Sequence, residues 1–258
     1  MAQTPAATMI TIDRFPRRPT GAGRAALRAY RLLPIRARLH ATVRWWSAPF
    51  AAVQAQVPPT GRILEIGCGR GLLCTYLALS RPTRSVLGVD IDPARIGQAQ
   101  QVARTLPNLD LDYGVAESGR VPAGPWDAIL VVDMLYLLPV AQQRELLTAA
   151  AAELAPGGLV LVKEMSAAPR WKARLNRLQE TLAVTVLGIS ARVEPVAGTD
   201  EPETAWSRRT SAFDFVPPEE MAGWLEELGL SCSLTRLDRR RLHPHHLLVG
   251  RQAPVHEP

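Results

Sequence analysis

Residues 63–71 read Ile-Leu-Glu-Ile-Gly-Cys-Gly-Arg-Gly, a short apolar run that ends in three glycines at alternate positions. Glycine has no Cβ and enters left-handed backbone freely, so Gly67, Gly69 and Gly71 permit a sharp turn and let a ligand touch the main chain. A turn of this kind between a buried strand and a helix belongs to open parallel sheets, whose ligands sit at the carboxyl ends of the strands. The rest of the chain keeps that rhythm. Arg62–Gly67 reads as a strand and Leu72–Ser80 as a helix. Ser85–Ile91 is a second strand, and Pro93 opens the helix after it, since proline suits the first helical position. Leu109–Ala116 alternates as a third, and Asp127–Asp133 is apolar throughout, as a strand covered on both faces must be. Residues 140–154 form a helix that ends at Ala-Pro-Gly-Gly, before a fifth strand over Leu159–Glu164.

Residues 166–216 carry no strand signal. Trp171, Leu175, Leu178, Leu182 and Val186 instead fall on one helix face beside Arg170, Lys172, Arg174 and Arg177, which predicts a helical lid insertion. A helix over 218–228 and strands over 231–237 and 245–250 complete the chain, and the linker between those two strands is too short for a crossover helix. The expectation is therefore an α/β fold: a Rossmann-like doubly wound sheet of seven strands, six parallel and the last antiparallel. Residues 1–23 read as a flexible tail, 24–57 as basic amphipathic helices, and 58–258 as the main domain.

In the N-terminal helices, broken at Pro34, Ile35, Leu39, Val43, Trp46 and Phe50 make a single apolar stripe. That stripe is expected to cover the sheet; contact with a membrane surface through residues 24–50 is the alternative. Charge is uneven along the chain. Ten arginines and no acid lie between Arg14 and Arg62, which leaves the remainder at −4 within a net +6. Such a start is suited to an anionic partner. Cys68, Cys74 and Cys232 have neither disulfide nor ligand spacing, so three reduced thiols in a cytoplasmic protein, and no metal site, are expected. No apolar run has the length of a membrane span, and no stretch reads as a secretion signal.

The glycine spacing is selective. Leu72 stands where a dinucleotide fingerprint needs its last glycine, which disfavours a nicotinamide-dependent oxidoreductase, and no Gly-Lys-Ser/Thr follows to make a P-loop. Asp90, at the tip of the second strand, can accept from both hydroxyls of a ribose; capping the next helix is its plainer role. The ordered set Leu-Glu-Ile-Gly-Cys-Gly-Arg-Gly, Gly-Val-Asp-Ile-Asp-Pro, Trp-Asp-Ala-Ile-Leu-Val-Val-Asp and Leu-Ala-Pro-Gly-Gly-Leu-Val-Leu-Val-Lys-Glu resembles the class I S-adenosylmethionine-dependent methyltransferases over about residues 60–165 and 218–251. The resemblance implies S-adenosylmethionine as cofactor and methyl transfer as the activity. It places Gly67, Cys68, Gly69 and Gly71 at the cofactor's amino-acid end with Glu65 ordering them, Asp90 on the ribose and Ile91 on the adenine. Asp133 joins this set from the end of the fourth strand. The family's acid after the third strand is missing: Val115 stands there, so the adenine contact falls to Ala116 or Glu117.

Methyl transfer requires alignment of donor and acceptor, and a base where the acceptor carries a proton. Tyr136 and Glu164 follow the fourth and fifth strands; His243, His245 and His246 sit about the last turn, where exposure to water is the plainer expectation. Tyr136, His245 and His246 are the catalytic candidates. The apolar stripes point to a small, hydrophobic acceptor, lipid-, quinone- or polyketide-like, methylated on oxygen. Nucleic acid is disfavoured: the segment Asp133–Tyr136 stands where amino-methylating enzymes of nucleic acids carry an Asn/Asp-Pro-Pro-aromatic motif, although the arginine-rich arm would suit such a substrate.

Overall fold

The computed structural model describes residues 8–11, 18–19, 21–165, 214–237 and 245–253. Three helices come first: α1 (Gly21–Ala29), α2 (Ile35–Ser47) and α3 (Phe50–Gln56). The alternating part follows as β2 (Gly61–Ile66), α4 (Leu72–Ser80), β3 (Arg84–Asp90), α5 (Pro93–Ala103), β4 (Leu111–Val115), β5 (Trp126–Val132), α6 (Val140–Ala152) and β6 (Leu154–Met165). Beyond the predicted insertion, of which all but residues 214–216 lies outside the described residues, come α7 (Pro218–Glu227), β7 (Ser231–Arg236) and β8 (His245–Arg251). One strand precedes them all. β1 (Thr8–Thr11) lies within the expected tail and pairs parallel with β7, Thr8 opposite Ser233.

The sheet order is β1-β7-β8-β6-β5-β2-β3-β4. Strands β2 to β8 are the expected seven, with β8 alone running antiparallel, against both β6 and β7. The fifth predicted strand begins five residues earlier than expected. β6 pairs Leu154 with Trp126, then slips so that Leu159 meets Ala128, and the Ala-Pro-Gly-Gly segment becomes an irregularity inside the strand rather than a turn before it. Alternate strand residues feed two cores. Ile63, Leu130, Leu161 and Val249 face the N-terminal helices, α4 and α5; Leu64, Ile129, Val160 and Leu248 face α6 and α7.

The N-terminal helices do cover the sheet, but with the opposite face from the one expected. Ala37, Ala41 and Trp45 are the buried residues of α2, while Ile35, Leu39, Val43 and Trp46 point outward. The stripe also breaks before its last member, since α2 ends at Ser47 and Phe50 opens α3 behind Pro49. Small residues explain the inversion. Alanines let α2 lie close against its neighbours, so that Trp45 alone fills the gap. Its ring sits edge-on to Phe50 at 5.8 Å and to Tyr76 at 5.0 Å, and it passes so close to Gly23 that a Cβ there would collide with it. Among the described residues no helix is long and apolar enough to cross a membrane.

Candidate active site

β2 lies between β3 and β5, so the chain reverses its direction of winding at the carboxyl end of β2. The glycine turn stands at that point. The amides of Gly67 and Cys68 both donate to the carbonyl of Val89, at 2.8 and 3.0 Å, which ties the turn to β3. Gly67, Gly69 and Gly71 have φ of +74°, +56° and +74°, a region that side chains with a Cβ enter only at a cost. Their surroundings differ. A Cβ on Gly67 would lie 2.7 Å from Met134 and one on Gly71 would strike the Tyr113 ring, whereas one on Gly69 would meet nothing within 4 Å. Gly69 is the open position of the turn.

Asp90 ends β3 with its carboxylate turned back to that position. Its Oδ2 accepts from the Gly69 amide at 2.7 Å and its Oδ1 from the Asp92 amide at 3.0 Å. The helix cap is a different residue: Asp92 accepts from the amides of Ala94 and Arg95 at the start of α5. Asp90 is thus 8% exposed without being consumed as a cap. Beside it Ile91 is 48% exposed, and Ala116 donates its amide to the Asp90 carbonyl at 3.1 Å. Glu117 turns to solvent, 75% exposed and paired with Arg120, so the structure brings Ala116 to Asp90 and leaves Glu117 outside. Below the turn Glu65 is buried, with the Cys74 thiol donating to its Oε2 at 2.8 Å; burial pushes its pKa up to about 7. Cys68 is buried in the turn itself.

The N-terminal helices reach over this edge. The Tyr30 hydroxyl donates to the carbonyl of Arg70 at 2.5 Å, inside the glycine turn. From α2, Arg44 donates to Asp133 Oδ2 at 2.5 Å and to the carbonyl of Val132 at 3.4 Å. His40, one turn earlier, is pushed down to about 4 by burial and by the neighbouring Arg70, Arg44 and Arg95.

Asp133 follows β5 with φ of 54°, the one non-glycine residue with positive φ among those described. Lys163, fully buried on β6, donates to its other carboxylate oxygen. Burial alone would push the Asp133 carboxyl up, but Lys163 and Arg44 outweigh it and hold it well below the usual carboxylate range. Next along β6, Glu164 accepts from the amides of Met134 (3.0 Å) and Leu135 (2.8 Å), fixing the 3₁₀ turn Leu135–Leu137. Its Oε2 is buried without a hydrogen-bond partner, and burial, followed by the Asp133 charge, pushes its pKa up to about 8. Tyr136, in that turn, stacks on Phe215 with ring centroids 5.2 Å apart.

The two histidines are not exposed turn residues. His245 and His246 open β8, opposite Met165 and Glu164 respectively, and are 3% and 7% exposed, because β8 is flanked by β6 and β7 from its first residues. His243 lies outside the described residues. The two cations on Asp133 are what sequence reasoning missed. Lys163 did leave a signal, as one of two lysines in a chain with twenty-eight arginines, set in an apolar strand. Arg44 left none, because it is one of many arginines on its helix.

Residues 37–233 match the family model described as "Methyltransferase domain". The Ubiquinone biosynthesis O-methyltransferase of Xanthomonas axonopodis pv. citri is 29% identical over 206 residues, covering 72% of this chain and 75% of the relative. Trans-aconitate 2-methyltransferase of Streptomyces avermitilis is 31% identical over 179 residues, covering 56% of this chain and 65% of that protein. Among solved structures, an O-methyltransferase family protein from Burkholderia thailandensis superposes with a TM-score of 0.60 at 16% identity, covering 89% of this chain and 63% of that one. Magnesium protoporphyrin IX methyltransferase from Synechocystis, solved with bound SAH, gives 0.56 at 16% identity, over 90% of this chain and 94% of that one. With that match over most of its length, and with the glycine turn, Asp90 and the antiparallel final strand in place, the chain belongs to the class I S-adenosylmethionine-dependent methyltransferases.

Proposed function

We propose that the protein transfers a methyl group to an oxygen of a small, apolar acceptor in the cytoplasm. The observation that carries this reading is the apolar rim beside Asp133: the stacked rings of Tyr136 and Phe215, with Leu137 and Val140 47% and 43% exposed next to them. A quinone-, polyketide- or fatty-acyl-like molecule is suited to such a rim. The Xanthomonas relative, an O-methyltransferase by name, supports the choice of oxygen. Residues 24–50 belong to the same reading as the segment that touches a membrane peripherally, where an apolar acceptor concentrates.

The cradle fits S-adenosylmethionine. Gly67, Cys68, Gly69 and Gly71 offer main chain to its amino-acid end, with open space above Gly69, and Glu65 supports the turn from below. Each Asp90 oxygen keeps a lone pair after accepting its amide, enough to receive a ribose hydroxyl. Exposed Ile91 would pack on the adenine, and Ala116 would border it. When bound, the cofactor supplies an electrophilic methyl group on a sulfonium. The chain's own residues must orient the acceptor and receive its proton. Asp133, pinned by Arg44 and Lys163, borders the reacting edge, and Tyr136 stands at the rim. His245 and His246 are walled into β8, which favours Tyr136 for handling the acceptor.

The test is turnover of methyl-labelled S-adenosylmethionine with an alkyl-tailed catechol, with trans-aconitate and with duplex DNA. Label in the catechol alone is expected, with binding of S-adenosylhomocysteine and not of NADH by calorimetry. Methylation of the tricarboxylate or of DNA in preference would overturn the acceptor reading.

A further inference from the structure

The outward face of α2 has no counterpart elsewhere on the described surface. Ile35, Leu39, Val43 and Trp46 are 69%, 50%, 53% and 53% exposed, and Leu32, in the turn before the helix, is 47% exposed. These five account for half of the large apolar side chains exposed among the described residues. At about 100° per residue the four helical members fall within an arc of roughly 80°. The buried Ala37, Ala41 and Trp45 lie on the far side of the helix. Arg36 borders the arc on one flank and Arg38 on the other, both exposed, with exposed Arg24, Arg28 and Arg31 on the preceding segment. A contiguous apolar patch on this scale marks a contact surface rather than scattered exposure.

The charge around the patch selects what it contacts. No Asp or Glu lies between Arg14 and Arg62. A second copy of the chain, stacked face to face, would bring the arginines beside both stripes together, and the segment itself offers no acid to pair them, which opposes association. A surface that offers apolar depth and anionic phosphate together meets both features: the stripe enters the acyl boundary while the flanking guanidiniums hold the head groups.

We propose that the outward face of α2 docks on an anionic phospholipid bilayer. The docking stands on the stripe and its arginine flanks, and does not depend on which acceptor is methylated. Its consequence for catalysis rests on the apolar-acceptor reading above. The inner face of the same helix carries Arg44 to Asp133, so docking sets the reacting edge about one helix diameter, roughly 10 Å, from the lipid.

The experiment is co-sedimentation of the full chain with vesicles of phosphatidylglycerol and phosphatidylcholine, and with phosphatidylcholine alone. Binding to the anionic vesicles is expected, falling at least tenfold on neutral vesicles or in 0.5 M salt on the order of counterion screening. The variant Ile35→Ser/Leu39→Ser/Trp46→Ser should lose vesicle binding tenfold or more while it keeps its circular dichroism and its affinity for S-adenosylhomocysteine. Arg36→Gln/Arg38→Gln should lose the preference for anionic lipid. Unchanged binding by the triple variant overturns the proposal, and so does absence of binding by the parent chain. A concentration-dependent dimer in sedimentation that the triple variant abolishes would also overturn it, assigning the face to a second copy. None of these assays contains an acceptor, so failure of the acceptor reading would leave their outcome untouched.

Discussion

Asp133→Asn isolates the electrostatics of the ion pairs that Asp133 makes with Arg44 and Lys163. Asparagine keeps the shape of the side chain and tolerates the left-handed backbone of Asp133 at φ 54°, so the change adds little backbone strain. What it removes is the one negative charge that faces both Lys163, whose side chain is fully buried, and Arg44, 29% exposed. Breaking a buried ion pair by deleting one partner costs about 3–5 kcal/mol, because the other charge is left uncompensated. Arg44 reaches water and relaxes; Lys163 cannot, so the penalty lies mainly there. At about 2–4 °C per kcal/mol for a chain of this size, the midpoint of thermal unfolding should fall by roughly 10 °C at pH 7. The pH dependence gives the signature. Burial already holds the Lys163 pKa below its ordinary value, and loss of Asp133 lowers it further. Between the folded and unfolded lysine pKa the unfolded state binds more protons, so stability rises with pH. The deficit of the variant should therefore shrink as pH approaches 10. Urea unfolding from pH 6 to 10 measures this, and adding Lys163→Met should recover more than half the loss. A variant within 1 kcal/mol of the parent, about the value of an exposed pair, would refute the reasoning, as would a double variant no more stable than the single one.

Three further outcomes follow from the same site. Gly69→Ala should cost about 1–2 kcal/mol of stability, from backbone alone, yet lower affinity for S-adenosylhomocysteine at least tenfold; Gly71→Ala, which drives a methyl into the Tyr113 ring, should lose more stability than that, and calorimetry beside thermal unfolding separates the two. Asp90→Ala should lower the same affinity by roughly ten- to a hundredfold, in line with charge-assisted bonds of about 1.5–3 kcal/mol each, and equal affinity would remove Asp90 from the cofactor site. Glu164 has a folded pKa near 8, above its unfolded value, so its contribution is full below about pH 4.5 and is lost as pH rises through 8. Glu164→Gln should flatten that part of the stability profile, and an unchanged slope would show that the carboxyl titrates normally.

The catalytic half of the fold was legible in sequence because its signals are local and repeat. Pro93 at the start of α5 and the apolar run of β5 each act within a few residues, and the structure places those elements within a residue or two of where the pattern does. The glycine turn is legible for the same reason, since three positive φ angles call for three glycines whatever lies around them. Ion pairing is not local. Arg44 reaches Asp133 across 89 positions, and nothing on α2 distinguishes it from Arg36 or Arg38 until the helix is docked. The last strand was legible from His245 onward, but the burial of its first two residues was not, because it is set by the flanking strands β6 and β7 and not by the local pattern.

The most instructive reversal is α2, where periodicity located a face correctly and gave it the wrong destination. Large apolar side chains at four-residue spacing define a stripe, and burial of the stripe is the default because it removes the most apolar surface from water. That default assumes room. α2 has to pass close to α1, where Gly23 leaves space for the Trp45 ring, and close to the edge of β5, where Arg44 must reach Asp133. Ala37 and Ala41 permit that approach; turning the helix half a revolution would put Ile35 and Leu39 into the gap and carry Arg44 out to solvent. Close packing and one buried ion pair therefore oppose burial of the stripe, and they win. A helix that leaves its large apolar side chains outward under these terms, flanked by arginine on a segment without acid, has the chemistry of the lipid contact proposed above.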